Sequence, residues 1–180
     1  MRRVAITAVV VFLLDQVSKL AVVWGLGLAT RGQIDVWPPY LTFRMAWNRG
    51  VNFGLFASGS EVVRWVLIAV ALGISVWVWR WVAQGQASRL VQVSAGLLIG
   101  GALGNVVDRV VYGFLAGKVE GVPFGAVADF LNMSCCGFEN PYAFNVADIA
   151  IFVGAVGLVL FADSGKTPGK GGRAPRRKTP

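Results

Sequence analysis

The sequence contains no histidine in its 180 residues, and this absence excludes several kinds of active site. Histidine-based zinc sites, Ser-His and Cys-His dyads, and the HExxH motif of metalloproteases all require that side chain. The two cysteines, Cys135 and Cys136, are adjacent, which makes a poor structural disulfide and does not match the CxxC spacing of metal sites. We interpret them as inert or lipid-facing. We therefore expect neither a metal site nor another cofactor.

Charged residues are scarce as well. They make up 14% of the chain, whereas soluble domains carry about 25%. Apolar residues make up 56% and the mean hydropathy is +0.63, so the composition predicts an integral membrane protein of one domain. The net charge is +8, but six of the 17 Lys and Arg residues follow Ser164. We interpret the charge as a property of the tail and expect no nucleic-acid partner.

Four long apolar stretches predict four transmembrane helices. They cover about residues 4–27, 62–82, 90–112 and 142–161, within a membrane domain of residues 1–163. The first stretch could instead open a cleaved signal peptide. Against that alternative, Asp15, Gln16 and Lys19 interrupt the apolar run, and no convincing small-residue cleavage site closes it. In the third stretch, Gly96 and Gly100 have the spacing of small residues that permits close helix approach.

Between the first two predicted spans, residues 41–47 alternate in character. One side of the alternation consists of Leu41, Phe43, Met45 and Trp47, and the other of Thr42, Arg44 and Ala46. A period of two predicts a half-buried strand, which would lie on the membrane surface with its aromatic side inward. The fold class that we expect is all-α and integral to the membrane, with four transmembrane helices, a small extracytoplasmic β element and an outer loop or helix.

The distribution of Lys and Arg predicts the orientation of the bundle. Most basic residues flank the predicted spans on one side: the N-terminal arginines, Arg80 with Arg89, and the tail of residues 164–180. The positive-inside bias assigns this side to the cytoplasm. Both termini are then cytoplasmic, and residues 29–60 and 113–140 face outward. The tail is rich in Gly, Pro, Lys and Arg, and we expect it to be disordered. The polar residues that hydropathy leaves unexplained then lie in the outer half: Asp15, Lys19, Asn48, Asn105, Asp108, Arg109, Asp129 and Asp148.

Two aspartates carry the strongest chemical signal. Asp148 opens the last apolar stretch, and a carboxylate there is costly unless it faces a bundle interior or a wet cavity. Asn145 lies three residues earlier, on the same face if both belong to one helix. If Asp129 shares a site with Asp148, one of the two keeps its proton, so the pair provides an acid and a base at one pH. That chemistry suits the attack of water on an amide. The alternative is structural: Asp129 caps a short helix, and Asp148 is a buried, hydrogen-bonded acid.

Two further polar groups have open interpretations. Asp15 and Lys19 are four residues apart on one helix face, and we prefer a structural ion pair to direct substrate contact. A polar stripe on the third span consists of Gly101, Asn105, Asp108 and Arg109. It is either an ion pair at a helix end or a surface that faces a ligand. A proton-coupled carrier is the alternative function, but such proteins place polar residues through both leaflets and often have repeated halves. A lipid-modifying transferase would need phosphate-transfer motifs that are absent.

Five blocks of the sequence resemble the bacterial lipoprotein signal peptidase family, also called signal peptidase II. They are LDQVSK at 14–19, NRGVNFG at 48–54, GGALGNVVDR at 100–109, GAVADF at 125–130 and FNVAD at 144–148. Each block alone is a modest signal, but all five follow the family's order. The resemblance implies a four-span aspartic endopeptidase of the bacterial inner membrane. Such an enzyme removes the signal peptide from diacylglyceryl-modified prolipoproteins and cleaves N-terminal to the lipidated cysteine.

The resemblance also implies roles for individual residues. The catalytic aspartates of the family match Asp129 and Asp148. Substrate-binding and supporting positions match Asn48, Gly50, Asn105, Asp108, Arg109, Asn145, Asp15 and Lys19. Diacylated prolipoproteins, membrane lipids and globomycin-type inhibitors are the implied partners, and we expect a monomer. Residues 114–124 form an apparent insertion between two of the blocks, so the outer loop is expected to differ in shape.

Overall fold

The computed structural model describes residues 1–50, 61–85, 87–116, 118–119 and 121–162. Residues 51–54 of the second block and the predicted tail at 164–180 lie outside these ranges. Along the described chain, the helices are α1 (Arg2–Lys19), a π-helical turn (Leu20–Gly25), α2 (Leu28–Arg31), α3 (Glu61–Gln84), α4 (Arg89–Leu115) and α5 (Val146–Phe161). The strands are β1 (Gln33–Trp37), β2 (Leu41–Asn48) and β3 (Val127–Met133).

In the part of the chain that the structure describes, three helical segments are long and apolar enough to cross a membrane. They are Arg2–Gly25 with 24 residues, α3 with 24 and α4 with 27. The first combines α1 with the π-helical turn that follows it. Their bounds match those of the first three predicted spans to within a few residues at each end. The protein is therefore mainly helical, with a small three-stranded sheet.

The fourth predicted span begins later than the sequence indicated. Residues 142–145 do not join α5, which has 16 residues and rises only about 24 Å at 1.5 Å per residue. The physical reason is that Phe144 is bound to β3 instead: its N–H donates to Leu131 O at 3.0 Å, and it accepts from Leu131 N at 2.8 Å. The prediction of 142 as the start was wrong, and the count of four spans stays a prediction.

The predicted strand at 41–47 is confirmed as β2, the central strand of an antiparallel sheet ordered β1-β2-β3. Its aromatic side packs inward, as expected. Phe43 meets Phe130 of β3 with ring centroids 5.7 Å apart, and Trp47 meets Tyr112 of α4 at 5.1 Å. These contacts belong to a buried cluster that also contains residues of the π-helical turn, so the sheet is anchored to the ends of two long helices. The pairing of β2 with β3 aligns Ala46 with Asp129.

Glycines allow α4 to approach its neighbours backbone to backbone. A Cβ atom at Gly96 would lie 2.8 Å from Val4 O, and one at Gly100 would lie 2.5 Å from Ala8 O. The predicted close approach at these two glycines is confirmed, and it joins α4 to α1. On the other side of α4, a Cβ atom at Gly154 of α5 would lie 2.6 Å from Leu98 N. Helix α4 thus forms the centre of the bundle, and α3 packs against it as well.

Candidate active site

A capping box begins α5 and positions one predicted aspartate. The Asn145 side chain accepts from Asp148 N at 2.9 Å, and Asn145 N donates to Asp148 Oδ2 at 3.2 Å. The reciprocal bonds satisfy two backbone donors that a helix start leaves unpaired. Asn145 is therefore the residue that caps the helix, not a member of its face as the spacing suggested. The Asp148 carboxylate lies in the first helical turn, where the helix dipole favours negative charge.

The side-chain amide of Asn145 connects the two predicted aspartates. Its Nδ2 donates to Asp129 Oδ1 at 2.6 Å and to Asn105 Oδ1 at 3.2 Å. Asn105 in turn donates from Nδ2 to Asp148 Oδ1 at 2.9 Å. Asn145 is fully buried, whereas Asn105 and Asp148 are half-buried, so the network runs from the protein interior toward a partly exposed carboxyl. The fold thus brings Asp129, Asp148, Asn105 and Asn145 into one site, although 43 residues separate Asn105 from Asp148 in the chain.

Asp129 lies in β3 and is 3% exposed, so it does not cap a helix. Burial, the larger cause, and the charge of Asp148 together raise the pKa of Asp129 to about 7. Hydrogen bonds from Asn48 and Asn145 and the charge of Lys19 act in the opposite direction. Near neutral pH this carboxyl therefore exchanges its proton readily, which is the property that an acid–base group needs.

Asn48 reaches Asp129 from the end of β2, and Gly50 orients it. The Asn48 side chain is hydrogen-bonded to Asp129 and accepts from Gly50 N at 2.9 Å. Gly50 has a φ of +94°, a left-handed conformation that side chains with a Cβ atom rarely adopt. A Cβ atom there would also lie 2.6 Å from Leu67 Cδ1 of α3. Only glycine suits this position, and the turn directs its N–H toward Asn48.

A buried ion cluster lies directly beneath this site. Lys19 Nζ is 2.7 Å from Asp15 Oδ2 and 2.8 Å from Asp108 Oδ2, and all three side chains are at most 3% exposed. Lys19 Nζ also donates to Asn105 Oδ1 at 3.4 Å, which connects the cluster to the aspartate pair. Gln16 donates to Asp15 Oδ2 at 3.0 Å and to Asp108 Oδ1 at 3.1 Å. Gln16 was not predicted as a site residue from the sequence. Its position as a polar side chain within the first apolar stretch could have identified it.

The two acids of the cluster anchor the elements that carry the aspartate pair. Asp15 Oδ1 accepts from Ala147 N at 3.0 Å, in the first turn of α5. Asp108 Oδ2 accepts from Ala128 N at 3.2 Å, one residue before Asp129. These bonds favour the structural interpretation of the Asp15–Lys19 pair. Asp108 therefore provides a hydrogen-bond acceptor for the backbone N–H of Ala128, a buried donor next to Asp129.

Arg109 and Asn132 support the chain segments on either side of the site. Arg109 is half-buried and donates from Nη1 to Gly125 O at 3.2 Å, in the turn before β3. Whether Arg109 also contacts substrate stays a prediction. Asn132 was not selected from the sequence. It donates from Nδ2 to Asn140 O at 2.7 Å and Tyr142 O at 2.8 Å, and so holds the connection from β3 to α5.

Comparison with known proteins gives consistent results. A family profile described as signal peptidase (SPase) II matches residues 7–162. A lipoprotein signal peptidase of Methylorubrum extorquens (strain PA1) is 42% identical over 153 residues, covering 82% of this chain and 77% of the relative. One from Methylobacterium radiotolerans is 35% identical over 174 residues and 93% of each chain. A solved bacterial membrane enzyme superposes with a TM-score of 0.64 at 26% identity over 96% of both chains. A second, at 23% identity, has a TM-score of 0.69 over 89% of this chain and 92% of its own, and it shows the fold alone.

Proposed function

The chain belongs to the signal peptidase II family, and we propose that Asp129 and Asp148 are its catalytic pair. As a member of this family it is a bacterial membrane peptidase that removes signal peptides from prolipoproteins. One observation carries the assignment of the pair: Asn145 binds both aspartates, donating from its side chain to Asp129 at 2.6 Å and from its backbone to Asp148 at 3.2 Å.

The pair would act by general acid–base hydrolysis. The environments of the two carboxyls differ, which supports a division of roles. Asp148 accepts from Asn105 Nδ2 and Asn145 N at the start of α5, and these two donors hold its carboxyl in place. Asp129 is buried in β3, and its raised pKa of about 7 favours the protonated form. In this scheme Asp148 is the base and Asp129 is the acid.

The proposed reaction consumes one water for each peptide bond broken. Asp148 takes a proton from the water, whose oxygen attacks the scissile carbonyl carbon, while Asp129 donates its proton to the carbonyl oxygen. The tetrahedral intermediate then collapses: its hydroxyl proton returns to Asp129, the carbon–nitrogen bond breaks, and the leaving amine takes the proton from Asp148. Both carboxyls end in their starting states. No side-chain nucleophile is needed.

The finer features of the substrate are also part of the proposal. We expect cleavage N-terminal to a diacylglyceryl-modified cysteine, at a site that opens toward the outer face of the membrane. Asn48, Asn105 and Asn145 use amide donors on the aspartates, so we assign them to orienting the pair. Arg109, half-buried beside the site, is the better candidate for substrate contact. Globomycin-type inhibitors would occupy the same place in a monomeric enzyme.

The test replaces each aspartate by its neutral isostere. Asp129→Asn and Asp148→Asn should each lower the cleavage of a diacylated prolipoprotein by about 10²–10⁴-fold, the usual contribution of an acid–base group. Asp35→Asn is the matched control, because Asp35 is exposed on β1 and bonds only to Gln33 and Thr42 among the described side chains. Near-normal turnover in either variant of the pair, with the protein folded, would contradict the proposal.

A further inference from the structure

Arg64, in the first turn of α3, is a buried cation away from the aspartate pair. Its side chain is only 10% exposed, although its ion-pair partner Glu61, 3.3 Å away, is 68% exposed. The guanidinium carbon lies 4.4 Å from the ring centroid of Phe124 and 4.8 Å from that of Trp65. Within the described residues, Nε is buried and has no hydrogen-bond partner. The guanidinium therefore packs against two aromatic faces, which attract cations.

Two glycines make room for the Arg64 side chain. A Cβ atom at Gly113 of α4 would collide with Arg64 Nη1, and one at Gly125 would lie 2.5 Å from Arg64 Cδ. Gly125 also has a φ of +60°, which disfavours any other residue there. The arginine therefore runs from α3 past α4 to the turn formed by Phe124 and Gly125. The Arg64 side chain fits against this turn only because Gly113 and Gly125 lack a Cβ atom.

The same turn leads directly to the aspartate pair. Gly125 O accepts from Arg109 Nη1 at 3.2 Å, and Ala128 N donates to Asp108 Oδ2 at 3.2 Å. Asp129 is the next residue in β3. Residues 124–128, which lead to Asp129, are thus held by two polar contacts from α4 and by the packing of Arg64 from α3.

We propose that Arg64 is a positioning residue for the peptidase reaction: it fixes the turn of Phe124 and Gly125 so that β3 presents Asp129 to Asp148. This inference rests on the proposed role of that pair. Misplacing a reacting group by about 1 Å can cost on the order of 10²-fold in rate, so a loosened turn affects turnover before it affects folding. We expect α3 to keep its packing without Arg64, because the buried residues of this helix are Ile68, Ser75, Val78 and Val82.

The test compares variants that remove or displace the guanidinium. Arg64→Ala should lower kcat about tenfold or more while KM changes less than about twofold. Arg64→Lys should recover only part of kcat, since an ammonium retains the charge but not the planar group that covers aromatic faces. Gly113→Ala keeps the arginine but displaces its guanidinium, so it should lower kcat in the same way. The matched controls, which should cleave normally, are Arg80→Ala, exposed on the same helix, and Gly73→Ala, which has open space around it.

The outcomes separate this inference from the proposed function. Asp129→Asn is assayed in parallel: if it remains active, the catalytic pair is wrong, whatever Arg64 does. If Asp129→Asn is inactive while Arg64→Ala and Gly113→Ala retain wild-type kcat, the positioning role alone is overturned. A rise in KM at unchanged kcat also overturns it, because Arg64 would then serve substrate binding. Should Arg64→Ala fail to fold, Gly113→Ala and Arg64→Lys decide the question.

Discussion

At the scale of single residues, Asn145 has two separable tasks: it caps α5, and its amide donates to Asp129. Asn145→Ser keeps a good N-cap oxygen but loses the amide donor, whereas Asn145→Ala loses both. We expect both variants to lose most of the cleavage activity. We expect the free energy of unfolding of Asn145→Ser to exceed that of Asn145→Ala by about 0.5–2 kcal/mol, the usual contribution of an N-cap side chain. Thermal unfolding measures the effect on stability, and initial rates measure the effect on cleavage. If Asn145→Ser cleaves normally, the hydrogen bond from the Asn145 amide to Asp129 is dispensable.

The protonation of Asp129 predicts a pH dependence. Burial first, and then the charge of Asp148, raises the pKa of Asp129 from 3.8 to about 7, against the lowering effects of Asn48, Asn145 and Lys19. Between these pH values the folded protein keeps a proton that the unfolded chain releases, so stability falls as the pH rises through that window and levels off above 7. Cleavage that needs the proton on Asp129 should also decline above about 7.

Rates at saturating substrate and thermal unfolding midpoints, each measured on both sides of pH 7, check this dependence. In Asp129→Asn protein, the part of the stability slope that belongs to this carboxyl should disappear. A cleavage rate that does not change as the pH rises through 7 would mean that the proton on Asp129 is not used.

At the scale of elements, the contact between α4 and α5 depends on small residues. A Cβ atom at Gly154 would lie 2.6 Å from Leu98 N and 2.7 Å from Ser94 O, both backbone atoms that cannot move aside alone. Gly154→Ala should therefore destabilise the protein by about 1–3 kcal/mol, the typical cost of overpacking. A Cβ atom at Gly73 in α3 would meet no atom of the described residues within 4 Å, so Gly73→Ala should be neutral or slightly stabilising. An unfolding midpoint for Gly154→Ala at or above that of the wild type would refute close packing here.

At the scale of the whole molecule, the orientation in the membrane can be tested with the chain's own thiols. Cys135 and Cys136 are the two cysteines of the sequence, and both are free and exposed. They lie in the segment that we predict to face outward, and their exposure favours contact with water over the inert or lipid-facing placement that the sequence suggested. A membrane-impermeant maleimide should therefore label the reduced protein in intact cells.

The control for labelling uses a protein in which both cysteines are replaced by serine. Gln84→Cys in that background introduces one exposed thiol near the end of α3, on the predicted cytoplasmic side. It should react only after the membrane is permeabilised. The reverse pattern, with Gln84→Cys labelled in intact cells and the native cysteines protected, would invert the predicted topology.

The class of the protein and much of its local structure were predictable from the order of its amino acids. The tendency of a chain to enter lipid depends on its proportion of apolar side chains. Residue counts alone therefore predicted a membrane protein. Period-two alternation reports which side of a strand is buried, and β2 appeared where it predicted. The five sequence blocks resemble the signal peptidase II family, and the comparisons confirm that family.

How these residues meet depends on packing between segments that are distant in the chain. The start of α5 moved to Val146 because Phe144 pairs with Leu131, a contact between segments that periodicity does not register. The ion pair of Lys19 with Asp108 joins residues far apart in the chain, and neither charge alone indicates the other as its partner. Arg64 gave no signal at all, since a lone arginine at a helix start is ordinary. Local patterns report the solvent preference of each segment, whereas the choice of partners is made when helices and strands pack.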